Sequence, residues 1–169
     1  MGSKILAMRG IIKHEKLGDT KRYYSDWEEE VDNVIRGNFV EVPGHSGGDE
    51  EVQIEYNEYK AYGVFWKFRE LCHWVRFLGH MVGCDVHAHS TFDETTPFYE
   101  IFNFGPEAIY GPNVCAKLAA DFAVWEAHYL KMCNDEGYSW IREAFEFARD
   151  GGGAVSLCSY AKRRSKSIE

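Results

Sequence analysis

Apolar and polar positions along the chain follow two rhythms, one near 3.6 and one of 2. Cys115, Leu118, Phe122, Trp125 and Tyr129 recur at spacings of 3, 4, 3 and 4, which is a single apolar stripe and predicts a helix over 112–132. Pro112 suits its first turn, where the missing N–H has no intrahelical partner. Residues 62–78 carry a second stripe of Phe65, Phe68, Cys72 and Val75, widened by Leu71 and Leu78. Trp140, Ile141, Ala144, Phe145 and Ala148 mark a third helix over 138–150, stopped by Gly151-Gly152-Gly153. A short aromatic helix is expected over 97–104. Ser25 with Glu28 forms a capping-box signal and predicts an acidic helix over 26–35, ended by Gly37.

The period of 2 appears in two runs. Phe39-Val40-Glu41-Val42 ends at Pro43-Gly44, and Val52, Ile54 and Tyr56 alternate with Gln53 and Glu55. Together they predict an acidic two-stranded hairpin whose second strand is half exposed. Residues 154–158 read as a short strand, 4–13 fit a strand or a short helix, and 79–97 has no period and reads as a loop. The expected fold class is α+β, mainly helical, with three main helices (62–78, 112–132, 138–150), a small acidic hairpin and a short C-terminal strand. Residues 1–169 form one domain, with an acidic arm (26–58), a helical core (60–158) and a disordered basic tail (160–169).

Composition sharpens this. The length, 169 residues, suits one domain with a sizeable core, and the 15% aromatic content implies a core of rings. The net charge of −8 is concentrated: residues 26–58 hold eleven carboxylates and one base, Arg36, so the rest of the chain is slightly positive. The basic tail, Lys162-Arg163-Arg164-Ser165-Lys166, is too small for direct nucleic-acid binding without a folded basic face behind it. No run of about 18 apolar residues or secretory leader is evident, so no membrane span is expected. Five widely spaced cysteines point to reduced thiols in a cytosolic protein.

Candidate chemistry is sparse. Asp85-Val86-His87-Ala88-His89 places two imidazoles on one side of an extended segment, as some metal-dependent hydrolases do, and Cys84 lies beside them. Against a metal site stand the flanking glycines, which make a poor central strand, and the lack of any Cys-x-x-Cys or His-Glu-x-x-His spacing. There is no Gly-x-Ser-x-Gly elbow. The glycines at 151–153 follow a helix, whereas a phosphate loop precedes one. Cys72 and Cys115 fall on apolar stripes and read as small core residues. No cofactor is expected. Glu28, Glu29, Glu30, Asp49, Glu50 and Glu51, interleaved with rings such as Tyr56, form a surface suited to a basic partner. Glu107, ahead of the long helix, suits the helix dipole as a cap, and the exposed backbone N–H groups there, with Arg69, Lys117 or Arg142, mark the alternative, a site for a small anionic ligand such as a nucleotide.

Three segments taken together carry a resemblance. Val64-Phe65-Trp66-Lys67-Phe68-Arg69 is followed by Phe98-Tyr99-Glu100-Ile101-Phe102-Asn103-Phe104, Gly111-Pro112 and Ala116-Lys117-Leu118-Ala119-Ala120-Asp121-Phe122. Ala144-Phe145-Glu146-Phe147-Ala148 and Asp150-Gly151-Gly152 complete the pattern. Over roughly 60–158 the chain resembles a family of small uncharacterised proteins of bacteriophages and prophages. That family often carries Ser-Asp-Cys-Glu-Gly where this chain has Gly105-Pro106-Glu107-Ala108, one residue shorter and without the aspartate. The resemblance implies a phage-encoded accessory protein in the cytoplasm of an infected bacterium and transfers no catalytic residue. The expected function is a non-enzymatic binding protein that modulates a host factor, such as one of a defence system, through its acidic aromatic surface or by sequestering a small anion. The alternative is a small metal-dependent hydrolase using His87 and His89. The aromatic stripes would serve a homodimer as readily as a monomer core.

Overall fold

The computed structural model describes residues 2–14, 34–44 and 51–158. The chain runs β1 (Gly2–Arg9), β2 (Ile12–His14), β3 (Val34–Val40), β4 (Glu51–Glu55), β5 (Glu58–Lys67), α1 (Phe68–Val82), a 3-10 turn (His89–Thr91) and α2 (Tyr99–Phe104). It continues with β6 (Ile109–Tyr110), α3 (Pro112–Met132), α4 (Gly137–Asp150) and β7 (Ala154–Ser156). Helices α2, α3 and α4 match the sequence periodicity within two residues. The β content is larger than expected: the hairpin is present as the antiparallel β3–β4 pair, but as part of a seven-stranded mixed sheet. The expected acidic helix lies mostly outside the described residues, and its last two positions, Val34 and Ile35, belong to β3.

The helix expected over 62–78 is corrected most. Tyr59, Tyr62, Val64, Phe65 and Trp66 are aromatic or β-branched and favour a pleated strand, and β1 offers a partner along the whole of β5, from Gly2↔Lys67 to Arg9↔Glu58. The helix therefore starts at Phe68, where the Glu70 carboxylate accepts the Lys67 backbone N–H, and runs on to Gly83, a left-handed C-cap with φ 89°. Its buried stripe is Leu71, Trp74, Val75, Leu78 and Met81, so Phe68 and Cys72 lie off the core-facing line.

Sheet order is β2-β4-β3-β6-β7-β1-β5. Two residues, Gly10 and Ile11, join β1 to β2, and two more, Tyr56 and Asn57, join β4 to β5. The pairing of β1 with β5 ends at Arg9↔Glu58 and resumes as Ile12↔Glu55 between β2 and β4. Strands joined so briefly cannot occupy opposite edges of a flat sheet. The sheet instead curls into a small barrel, closed by this one bent ribbon. Gly10 makes the shared bend: its φ is 64°, and a Cβ there would sit 2.1 Å from Asn57 Oδ1.

Closure explains a second core that no helix covers. Leu6, Met8, Ile35, Phe39, Val52, Ile54, Tyr56, Ile109 and Ala154 fill the barrel. Alternate residues on the outer side of the same strands (Ile5, Ala7, Val40, Tyr110 and Val155), with Tyr62 of β5, pack against the helical layer. The expected half-exposed strand at 52–56 is thus buried on both sides, Gln53 included, and the Gln53 amide has no hydrogen-bond partner among the described residues.

Phe122 is the hub of the helical layer. Its ring meets Phe98 at 4.7 Å, Tyr138 at 4.9 Å, Phe145 at 5.7 Å and Trp74 at 6.3 Å between centroids. Phe98 has φ 64°, unusual for a residue with a Cβ. Its fully buried ring and the Asp121 carboxylate, which accepts its N–H at 2.9 Å, hold it there.

Candidate functional site

Two polar groups stand out among the described residues of the helical layer. In the first, the Glu100 carboxylate is fully buried and accepts hydrogen bonds from the Gly44 N–H at 2.8 Å and from Lys117 Nζ at 2.9 Å. Lys117 also meets Asp121 Oδ2 at 2.7 Å. A buried charge is tolerated when paired and hydrogen-bonded, and this arrangement ties the end of β3 to α2 and α3. Phe98 and Glu100, from residues 98–104, and Lys117 and Asp121, from residues 116–122, thus form an internal brace.

The second group lines an open cleft of about 400 Å³ between α1 and the α3–α4 turn, formed by Glu70, His73, Trp74, Phe77, Tyr129, Cys133 and Asp135. Its floor is a relay. Trp74 Nε1 donates to the Tyr129 hydroxyl at 3.1 Å, and that hydroxyl donates to Asp135 at 3.1 and 3.2 Å to its two oxygens. Asp135 Oδ1 also accepts the Gly137 N–H at 3.0 Å, fixing the carboxylate at the start of α4. The Phe77 ring stands edge-on to Tyr129 at 5.6 Å. Burial first, with the Asp135 charge adding to it, pushes the Tyr129 hydroxyl well above its ordinary value, so it stays a neutral donor. Glu70, one turn before Trp74, is exposed at the rim.

The expected site residues are scattered. Glu28, Glu29, Glu30, Asp49 and Glu50 lie outside the described residues. Glu51 is exposed at the start of β4, 3.3 Å from Arg36 Nε. Tyr56, expected on the surface, is buried in the barrel instead, because closure turns its ring inward, with Tyr59 edge-on at 5.8 Å. Glu107 is exposed in the turn before β6, and Arg69 is exposed in the first turn of α1. Lys117 is committed to the brace. Arg142 lies within 4 Å of Glu126, Glu143 and Glu146. These cations do not converge on an anion site.

Around the imidazoles, Cys84 is buried, and His89 lies against the Phe92 ring at 5.2 Å. Asp85 and Thr91 are spent on turn hydrogen bonds. Among the described residues no three His, Cys, Asp or Glu side chains converge as metal ligands. Burial pushes the Cys72, Cys84 and Cys115 thiols up, which keeps them protonated and poorly nucleophilic. The cleft itself was not legible in the sequence. Glu70 and Asp135 are separated by most of the helical layer, and only the packing of α1 on the end of α3 brings them together.

No protein-family model matches the chain, and neither a characterised protein nor a solved structure matches it. Among the described residues no helix is long and apolar enough to cross a membrane.

Proposed function

We propose that this chain is a non-enzymatic binding protein, an accessory factor of a bacteriophage or prophage that acts in the host cytoplasm by engaging a basic surface of a host protein, such as a component of a defence system. The phage assignment is supported by the sequence resemblance over 60–158. The binding assignment is supported chiefly by one observation: the open cleft joins two carboxylates, Glu70 and Asp135, to the rings of Trp74, Phe77 and Tyr129. Carboxylates beside rings suit a basic partner and repel an anion. The upward-shifted Cys72, Cys84 and Cys115 thiols and the neutral Tyr129 hydroxyl are poor nucleophiles. With Lys117 and Arg142 engaged by carboxylates, the small-anion reading has less support than the protein-partner reading.

The test compares wild type with a variant in which Glu28, Glu29, Glu30, Asp49, Glu50 and Glu51 become amides. Each is immobilised and exposed to host extract. Wild type should retain a discrete basic protein that high salt releases and that the variant binds much less. Equal retention by both, insensitive to salt, would remove this reading.

A further inference from the structure

We infer that the cleft between α1 and the α3–α4 turn receives a single basic side chain of the partner, an arginine guanidinium, as the anchor of the interface. The inference rests on the binding reading above and deepens it by assigning the contact chemistry. Three observations converge. First, about 400 Å³ falls within the range of small-ligand sites and leaves room for one long side chain. Second, Asp135 is pre-positioned: the Tyr129 hydroxyl, the Gly137 N–H and, at 3.4 Å, the Cys133 thiol hold it in place, so little ordering cost remains when a cation arrives. Third, one wall offers a partly exposed ring, Phe77, above the buried Trp74 and Tyr129. Guanidinium is planar, weakly hydrated and favoured over ammonium for stacking on aromatic faces while bonding a carboxylate.

Glu70 supplies a second carboxylate to the lining, from the first turn of α1. Its tie to the chain is the long 3.4 Å bond to the Lys67 N–H, which occupies one oxygen. A guanidinium seated in the cleft would find carboxylates on α1 and at the α3–α4 turn among the lining residues.

The probe is N-acetyl-arginine amide, with N-acetyl-citrulline amide as its neutral near-isostere, titrated into the full chain. The readout is the NMR resonance of the Trp74 indole N–H, which reports on the relay at the cleft floor. Arginine amide should shift that resonance saturably, and citrulline amide should not. Glu70→Gln, at an exposed position, should weaken the arginine effect roughly three- to five-fold. Phe77→Leu should weaken it as well, through loss of a ring with retained apolar volume. Equal shifts from arginine and citrulline amides, or no saturable shift from either, would overturn the inference. The outcome also separates the two claims. If the six-carboxylate variant loses the host partner while the Trp74 resonance ignores arginine amide, the anchor is wrong and the broader binding reading survives. If neither responds, both fail.

Discussion

Glu100 shows how a residue can be plain in a sequence while its work is not. In Phe98-Tyr99-Glu100-Ile101 it looks like an ordinary solvated position, yet it is fully buried against Lys117 and the Gly44 N–H. Spacing cannot reveal a partner 17 positions away, and for the same reason Lys117 reads from sequence as a free cation. Lys117→Met should cost about 3 kcal/mol, measured by urea denaturation, because it leaves the Glu100 charge buried without its counterion. A loss under about 1 kcal/mol would show that the brace is not braced by charge. The triple glycine reads in the sequence as a helix stop, α4 ends at Asp150, and the structure adds a steric reason. A Cβ on Gly153 would fall 1.6 Å from the Met8 carbonyl oxygen, whereas one on Gly152, at φ 62°, meets nothing within 4 Å. Gly153→Ala should therefore destabilise by at least about 3 kcal/mol, and Gly152→Ala by about 1 kcal/mol, the backbone strain alone.

At the level of elements, helices were legible where the apolar period ran uninterrupted. Helix α3 follows its stripe from Cys115 to Tyr129, and α4 begins and ends within one residue of expectation. Strand β5 was missed because a run of rings with apolar residues on every side satisfies both periods. Its β1 partner, tens of residues away, decides between them. The barrel was illegible for a related reason. Its closure depends on two strands bending together at Gly10 and Asn57, a long-range fact that neither segment states alone. Among the helices, α3 carries the largest share of ring contacts through Phe122. Phe122→Ala should cost about 3–5 kcal/mol of stability in denaturant titration. A loss near that of a surface change would mean the four rings around it repack freely.

For the whole molecule, burial of acidic protons sets the response to alkali. Cys115, Tyr110, Tyr129 and Tyr138 all have values raised chiefly by burial, above the ordinary 9.0 of a thiol and 10.0 of a phenol. Between the unfolded and folded values the folded chain holds more protons, so stability falls as pH rises. The urea midpoint should be flat through neutral pH and decline once pH passes about 9 to 10. A midpoint that rises there would contradict the burial of these groups.

Carboxylates are concentrated in residues 26–58 of the sequence, and Glu70 and Asp135 line the cleft, a distribution that the binding proposal pairs with a basic partner. The most direct test is the affinity of a fluorescein-labelled arginine-rich peptide for the full chain, followed by anisotropy as salt is raised. Binding at low salt that weakens steadily with salt, and weakens further in Glu70→Gln, is the predicted result. Failure to bind the peptide, or binding indifferent to salt and to that carboxylate, would contradict the account.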